Sequence, residues 1–131
     1  ALSVANASGS AKGVIRLASK ADVQAGTQTS EAITPDTLAS KSVRSTIVAA
    51  SVSTSSLFAE IAHNLGTEDV IVQCFDNSTM ETVFAEVERK DKSGAKSSSK
   101  ITVRFSGVPA NNVDVLITSI KGATSASPSY S

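Results

Sequence analysis

From about Ser45 onward, apolar and polar residues alternate, the period of a strand with one buried face. Val70, Val72 and Cys74 share a face of their stretch, as do Val83, Ala85 and Val87, and then Ile101, Val103 and Phe105. Glu86, Glu88, Thr102 and Arg104 take the opposite, outward face. The pattern predicts about six strands, over 46–52, 57–63, 69–75, 82–89, 100–105 and 113–120. Turn residues fall between them: Asn64, Gly66 and Thr67; Asp76, Asn77 and Ser78; Pro109 within 107–112. The Lys- and Ser-rich stretch 90–100 reads as an exposed mobile tip. The strand spacing, mostly about 10 to 14 residues with turn signals between, argues for an antiparallel meander or sandwich over crossover helices. Ile71 and Phe84 fall on the polar face, as if that face were also partly covered.

Upstream the period changes. Residues 1–12 are small and polar without a sustained period, and read as a flexible arm. Val14, Ile15 and Leu17 form a short apolar run. Ser19 stands as N-cap to a helix of about two turns, with Asp22 at its third position and Gly26 just past its end. Thr34 is placed to cap a second short helix, with Pro35 at its first position, Asp36 near the positive end of its dipole and Leu38 as its inward contact. Helices this short need packing partners. The fold class expected is thus mainly β: a small antiparallel β-sandwich over 45–120. A helical linker at 13–44 precedes it, and a disordered or extended tail at 121–131 follows.

The segment 13–38, GVIRLASKADVQAGTQTSEAITPDTL, resembles a linker module that recurs in bacteriophage tail-fibre and related virion proteins. The resemblance rests on the Gly, the short apolar strand, the capped polar helix, the A-G-T turn and the closing A-I-T-P-D-T-L-A. The stretch 61–120, with IAHNLGTEDVIVQCFDNST, ETVFAEVER, KITVRF and PANNVDVLITSI, resembles a small β-domain found in phage virion proteins. The loop 90–100 departs from that pattern, where the hairpin is tighter. The resemblance implies a virion structural protein of the tail-fibre or appendage type, commonly a homotrimer, made in the bacterial cytoplasm. It also implies contacts with other virion proteins.

Composition narrows the chemistry. The chain has 131 residues, 40% hydrophobic but only 4% aromatic and without Trp, which predicts a thin aliphatic core. Twelve basic residues balance twelve acidic ones, so no net field draws the protein to nucleic acid or to an anionic membrane. No run approaches the roughly 18 apolar residues of a bilayer span, and a secretory leader is not expected. Cys74 is the single cysteine and reads as a small buried hydrophobe.

Candidate catalytic groups are sparse. His63 is the only histidine; it lies in strand register with Leu57, Ala59 and Ile61 and reads as a structural residue whose ring bonds the following turn. No strained nucleophile elbow presents a serine to it. Glu86 and Glu88, on one strand face, are a conceivable glycosidase pair but lack any aromatic platform. Asp69, Asp76 and Asn77 lack the dense spacing of a calcium loop, and no phosphate-cradling glycine run occurs. The expectation is a non-enzyme with neither cofactor nor metal.

The candidate assembly residues are Val14, Ile15, Leu17, Val23, Ile33 and Leu38 in the linker, with Ile71 and Phe84 on the sheet. A capsid decoration protein is the alternative, favoured by the short chain. A module binding a host surface glycan is weaker, because the only tyrosine is Tyr130 in the tail.

Overall fold

The computed structural model describes residues 16–27 and 31–130; Val14 and Ile15 lie outside them. The chain divides into two compact units, Ala1–Ser40 and Lys41–Ser131.

In the first unit, β1 (Arg16–Leu17) pairs with β2 (Glu31–Ala32), and α1 (Lys20–Ala25) and α2 (Pro35–Leu38) follow one strand each. Local chemistry explains both helices. The Ser19 hydroxyl accepts from Asp22 N–H while the Asp22 carboxylate accepts from Ser19 N–H, a closed capping box. Gly26 ends α1 in the left-handed region, φ 67. Thr34 and Thr37 form the equivalent box on α2, with Pro35 in the first turn. The β1–β2 pairing is parallel, Arg16 opposite Glu31 and Leu17 opposite Ala32, so the expected helical linker also carries a two-stranded sheet.

The second unit is an antiparallel β-sandwich. One sheet has the order β3 (Ser42–Ile47), β9 (Val113–Ser119), β5 (Val70–Asp76), β6 (Thr82–Val83); the other has β4 (Phe58–Ala62), β8 (Lys100–Arg104), β7 (Glu86–Glu88). Only β5–β6 and β7–β8 are neighbours in both sequence and sheet, so the topology is a sandwich with crossing connections and not a meander. Ile47, Val70, Cys74, Val113, Val115 and Ile117 from the first sheet meet Ile61, Ile101 and Val103 from the second in one core.

Three sequence expectations change. The first strand of the sandwich begins at Ser42, earlier than expected, and a 3-10 turn over Ala49–Ser51 replaces its end. The stretch 82–89 is two strands: the chain leaves one sheet after Val83 and joins the other at Glu86. Val83, Ala85 and Val87 keep their contact with the core through this corner, and Phe84 is thrown outward. Thr102 does not face solvent. It is fully buried, and its hydroxyl donates to the Lys90 carbonyl at 2.9 Å.

Thr102 is covered because the stretch after β7 is folded, not a loose tip. Lys90 bridges Lys96 across a turn in which the Asp91 carboxylate accepts from Ser93 and Ala95 N–H. Lys92 N–H then reaches Glu60 at 2.8 Å. The tail over 121–130 contains neither helix nor strand.

Candidate functional site

The two outer faces of the sandwich differ in chemistry. On the three-stranded sheet, Glu88 accepts from Arg104 and faces Lys90, Glu60 faces Lys100 at 3.7 Å, and Arg104 lies over the Phe58 ring. Acid and base alternate across the strands and neutralise one another, each exposed pair contributing about 0–1 kcal/mol. Glu88 is therefore committed to Arg104, and Glu86 stands opposite Arg104 on the same face. This is a charge lattice in which Glu60 and Glu88 each face a basic partner.

The four-stranded sheet carries three cross-strand rows outward: Ser42–Thr118–Ile71, Arg44–Leu116–Gln73 and Thr46–Asp114–Phe75. Ile71 is 59% exposed and Leu116 lies diagonally beside it. A shallow, mostly apolar groove of ≈ 350 Å³ runs past Arg44, Leu116 and Thr118. The third row is polar and closed. Asp114, with none of its surface exposed, accepts from Thr46 Oγ1 at 2.6 Å, Asn77 Nδ2 at 2.7 Å and Arg44 at 2.7 Å. Those bonds, Thr46 first, then Asn77 and Arg44, hold its carboxyl below the ordinary value of 3.8 against the opposing effect of burial. Arg44 also covers the Phe75 ring at 5.5 Å. Ile71 and Leu116 thus sit beside an ion pair whose charges are already matched.

The expected assembly residues fall into three groups. Phe84, at the corner between sheets, is 95% exposed, and Leu17, Ile33 and Leu38 are 61%, 53% and 51% exposed. Leu38 is not the inward contact expected of it, because α2 spans only Pro35–Leu38 and ends at that residue. Val23 is buried together with Ala18, so it anchors the chain itself and offers no surface to a partner. Val14 and Ile15 lie outside the described residues. The arrangement leaves Leu17, Ile33 and Leu38 on one unit, and Ile71, Leu116 and Phe84 on the other.

His63 caps the end of β4. Its Nδ1 accepts from Leu65 N–H at 3.1 Å, while His63 and Asn64 N–H both donate to the Ser99 carbonyl. Asn64 at φ 54 and Gly66 at φ 70 turn the chain, which drops Leu65 into the core. Nδ1 must be unprotonated to accept, so the neutral ring carries its proton on Nε2, which is buried without a partner among the described residues. Burial lowers the pKa below 6.5. Cys74 is buried in the core, and burial raises its thiol pKa, the opposite of an activated nucleophile.

Asp76 and Asn77 occupy the β5–β6 turn. The Asp76 carboxylate is saturated by Thr79 N–H, the Asn111 amide and Ser78 N–H, which hold its pKa below 3.8. Asp69 is at the other end of β5. Among the described residues no three His, Cys, Asp or Glu side chains gather as metal ligands.

One feature is not predicted by the sequence pattern. The β5–β6 turn, the β8–β9 loop and the 3-10 turn after β3 enclose a concavity of ≈ 540 Å³ at one end of the sandwich, bordered by Asn77, Asn111 and Asn112. Asn77 is remote in sequence from the adjacent Asn111 and Asn112, and the pairing of Asp76 with Val113 across β5 and β9 brings their turns together.

No protein family, no curated protein and no solved structure matches this chain.

Proposed function

We propose that this chain is a structural subunit of a bacteriophage virion, a tail-fibre, appendage or adaptor component that assembles with copies of itself as a homotrimer. The observation that carries the reading is the exposure of apolar side chains in a chain with few of them to spare: Phe84 at 95%, Leu17 at 61% and Ile71 at 59%. Burying one such side chain fully contributes about 1.5–3 kcal/mol, and a partner surface is where that contribution is recovered. The linker segment 13–38 and the β-domain segment 61–120 support the virion assignment through their resemblance to phage appendage modules. The role proposed is mechanical, with the surface residues as anchors.

Light scattering on the full chain tests self-association, with a trimer mass expected. The combined substitution of Leu17, Ile33 and Leu38 by Ser is expected to return the mass to that of a monomer and leave the β-domain folded. Phe84→Ser is expected to weaken assembly while changing unfolding by less than about 0.5 kcal/mol, the range for a surface site. Imaging purified phage particles labelled with antibody against this chain tests location. Label on tail appendages supports the proposal, label spread over the head makes the chain a decoration protein, and unlabelled particles overturn the virion reading.

A further inference from the structure

The asparagine-lined concavity at the loop end of the sandwich has the marks of a prepared recognition surface. Each amide spends one half on the protein, and the partner chemistry fixes which half. Asn77 Nδ2 donates to the Asp114 carboxylate at 2.7 Å, Asn111 Nδ2 donates to the Asp76 carboxylate at 3.1 Å, and Asn112 Oδ1 accepts from Ala49 N–H at 3.1 Å. A carboxylate cannot donate and an N–H cannot accept, so the orientations are determined. Left over, without partners among the described residues, are the carbonyl oxygens of Asn77 and Asn111, the NH2 group of Asn112, and the second N–H of the Asn77 and Asn111 amides.

We propose that this concavity binds a neutral hexopyranose unit. Its border carries no Lys, Arg, Asp or Glu, and the nearby Asp76 and Asp114 carboxylates are consumed by internal donors, so nothing there recognises an ionised ligand. Adjacent hydroxyls of a pyranose both donate and accept, which matches free carbonyl acceptors set beside free amide N–H donors. Val108, 41% exposed, and Pro109 border the same space and offer an aliphatic floor for the C–H face of the ring. An extended peptide is the poorer fit, since it is usually read along a strand edge by backbone groups in series, whereas these groups come from side chains on separate turns. Without an aromatic ring to stack on, a single site is expected to bind weakly, in the millimolar range. The site lies wholly within the β-domain and does not depend on the assembly reading.

Two-dimensional amide NMR of the full chain tests this, with glucose, galactose, mannose and N-acetylglucosamine each titrated to about 50 mM, well beyond a millimolar Kd. At least one sugar is expected to give saturable shifts at Ala49, Ala50 and the three asparagine side-chain amides. Asn112→Asp retains the acceptor for Ala49 N–H and removes the Asn112 NH2 donor; it is expected to weaken binding about tenfold, the scale of one hydrogen bond, with the rest of the spectrum unchanged. Ala50→Arg, on an exposed position of the border, is expected to abolish the shifts. The proposal is overturned if none of the four sugars gives saturable shifts, or if the shifts survive Ala50→Arg. It is also overturned if trialanine shifts these signals and the sugars do not.

Discussion

The N-terminal unit and the β-domain satisfy their backbone polar groups by opposite means. In the first, side chains close the ends of two short helices: Ser19 with Asp22, Thr34 with Thr37. Among the described residues Ala18 and Val23 are the apolar ones buried there, while Leu17, Ile33 and Leu38 remain at the surface. In the second, long cross-strand ladders do the work, and Ile101, Val103, Val115 and Ile117 have no exposed surface at all. The difference teaches where stability resides. A capping interaction contributes about 0.5–2 kcal/mol, and helices of one or two turns are unstable alone, so the N-terminal unit has its shape specified locally without the burial that would make it stable.

The most severe test of this contrast is a core truncation in each unit. Ile117→Ala in β9 is expected to cost about 2–5 kcal/mol by urea unfolding, from lost burial and the cavity left behind. Val23→Ala in α1 is expected to leave that transition unmoved within about 0.5 kcal/mol. Equal losses from both would mean that the two units unfold as one body, and the contrast would fail.

How much of each unit is legible in the sequence follows the same division. Ser19, Asp22, Gly26, Thr34 and Pro35 act within a turn of themselves, and each does in the structure what its position predicts. The parallel pairing of β1 with β2 joins residues far apart, with only two residues in each strand, too short for any period to register. In the β-domain, alternation marks the inward faces, because side chains on a strand alternate by geometry. Alternation is silent on which strands become neighbours. Hence the corner at Phe84, where an unbroken alternating run changes sheets, and the burial of Thr102 under the turn after Lys90, come from packing alone. The same holds for the asparagine cluster. Asn77 and Asn112 look like ordinary turn residues until the sheet order places their turns side by side. His63 is the exception: a lone histidine at the end of a strand, before Asn and Gly, is readable as a turn-binding residue.

A second test uses pH to address one unit only. The His63 imidazole binds a proton less readily when folded than when unfolded, because protonation would bury a charge and remove the acceptor for Leu65 N–H. Its contribution is complete above the unfolded value of 6.5 and is lost as pH falls below it. Asp22, Asp76, Asp91 and Asp114 are all held below 3.8, so their contributions fade only as pH falls further. As pH falls below about 6.5 the β-domain is therefore expected to lose stability with a slope of at most about 1.4 kcal/mol per pH unit, the limit for one proton. His63→Asn, whose side-chain oxygen can accept from Leu65 N–H, is expected to flatten that slope. A slope unchanged in the variant would assign the effect to other groups.

The smallest expected effect is also the most local. Ser19→Ala removes the hydroxyl that accepts from Asp22 N–H and leaves Asp22 with only the Ser19 backbone N–H of the box. A loss of about 1 kcal/mol is expected, confined to α1. Amide hydrogen exchange resolves it: Val23 N–H, bonded to the Ser19 carbonyl at 3.1 Å, and Gly26 N–H, bonded to the Asp22 carbonyl at 3.0 Å, should exchange faster, while Val103 and Val115 in the β-domain keep their protection. The urea transition, which reports the β-domain, is expected to stay where it is. Should exchange accelerate in both units, the cap would be acting through tertiary coupling, and the division of labour drawn from the side-chain boxes and the β-ladders would have to be abandoned.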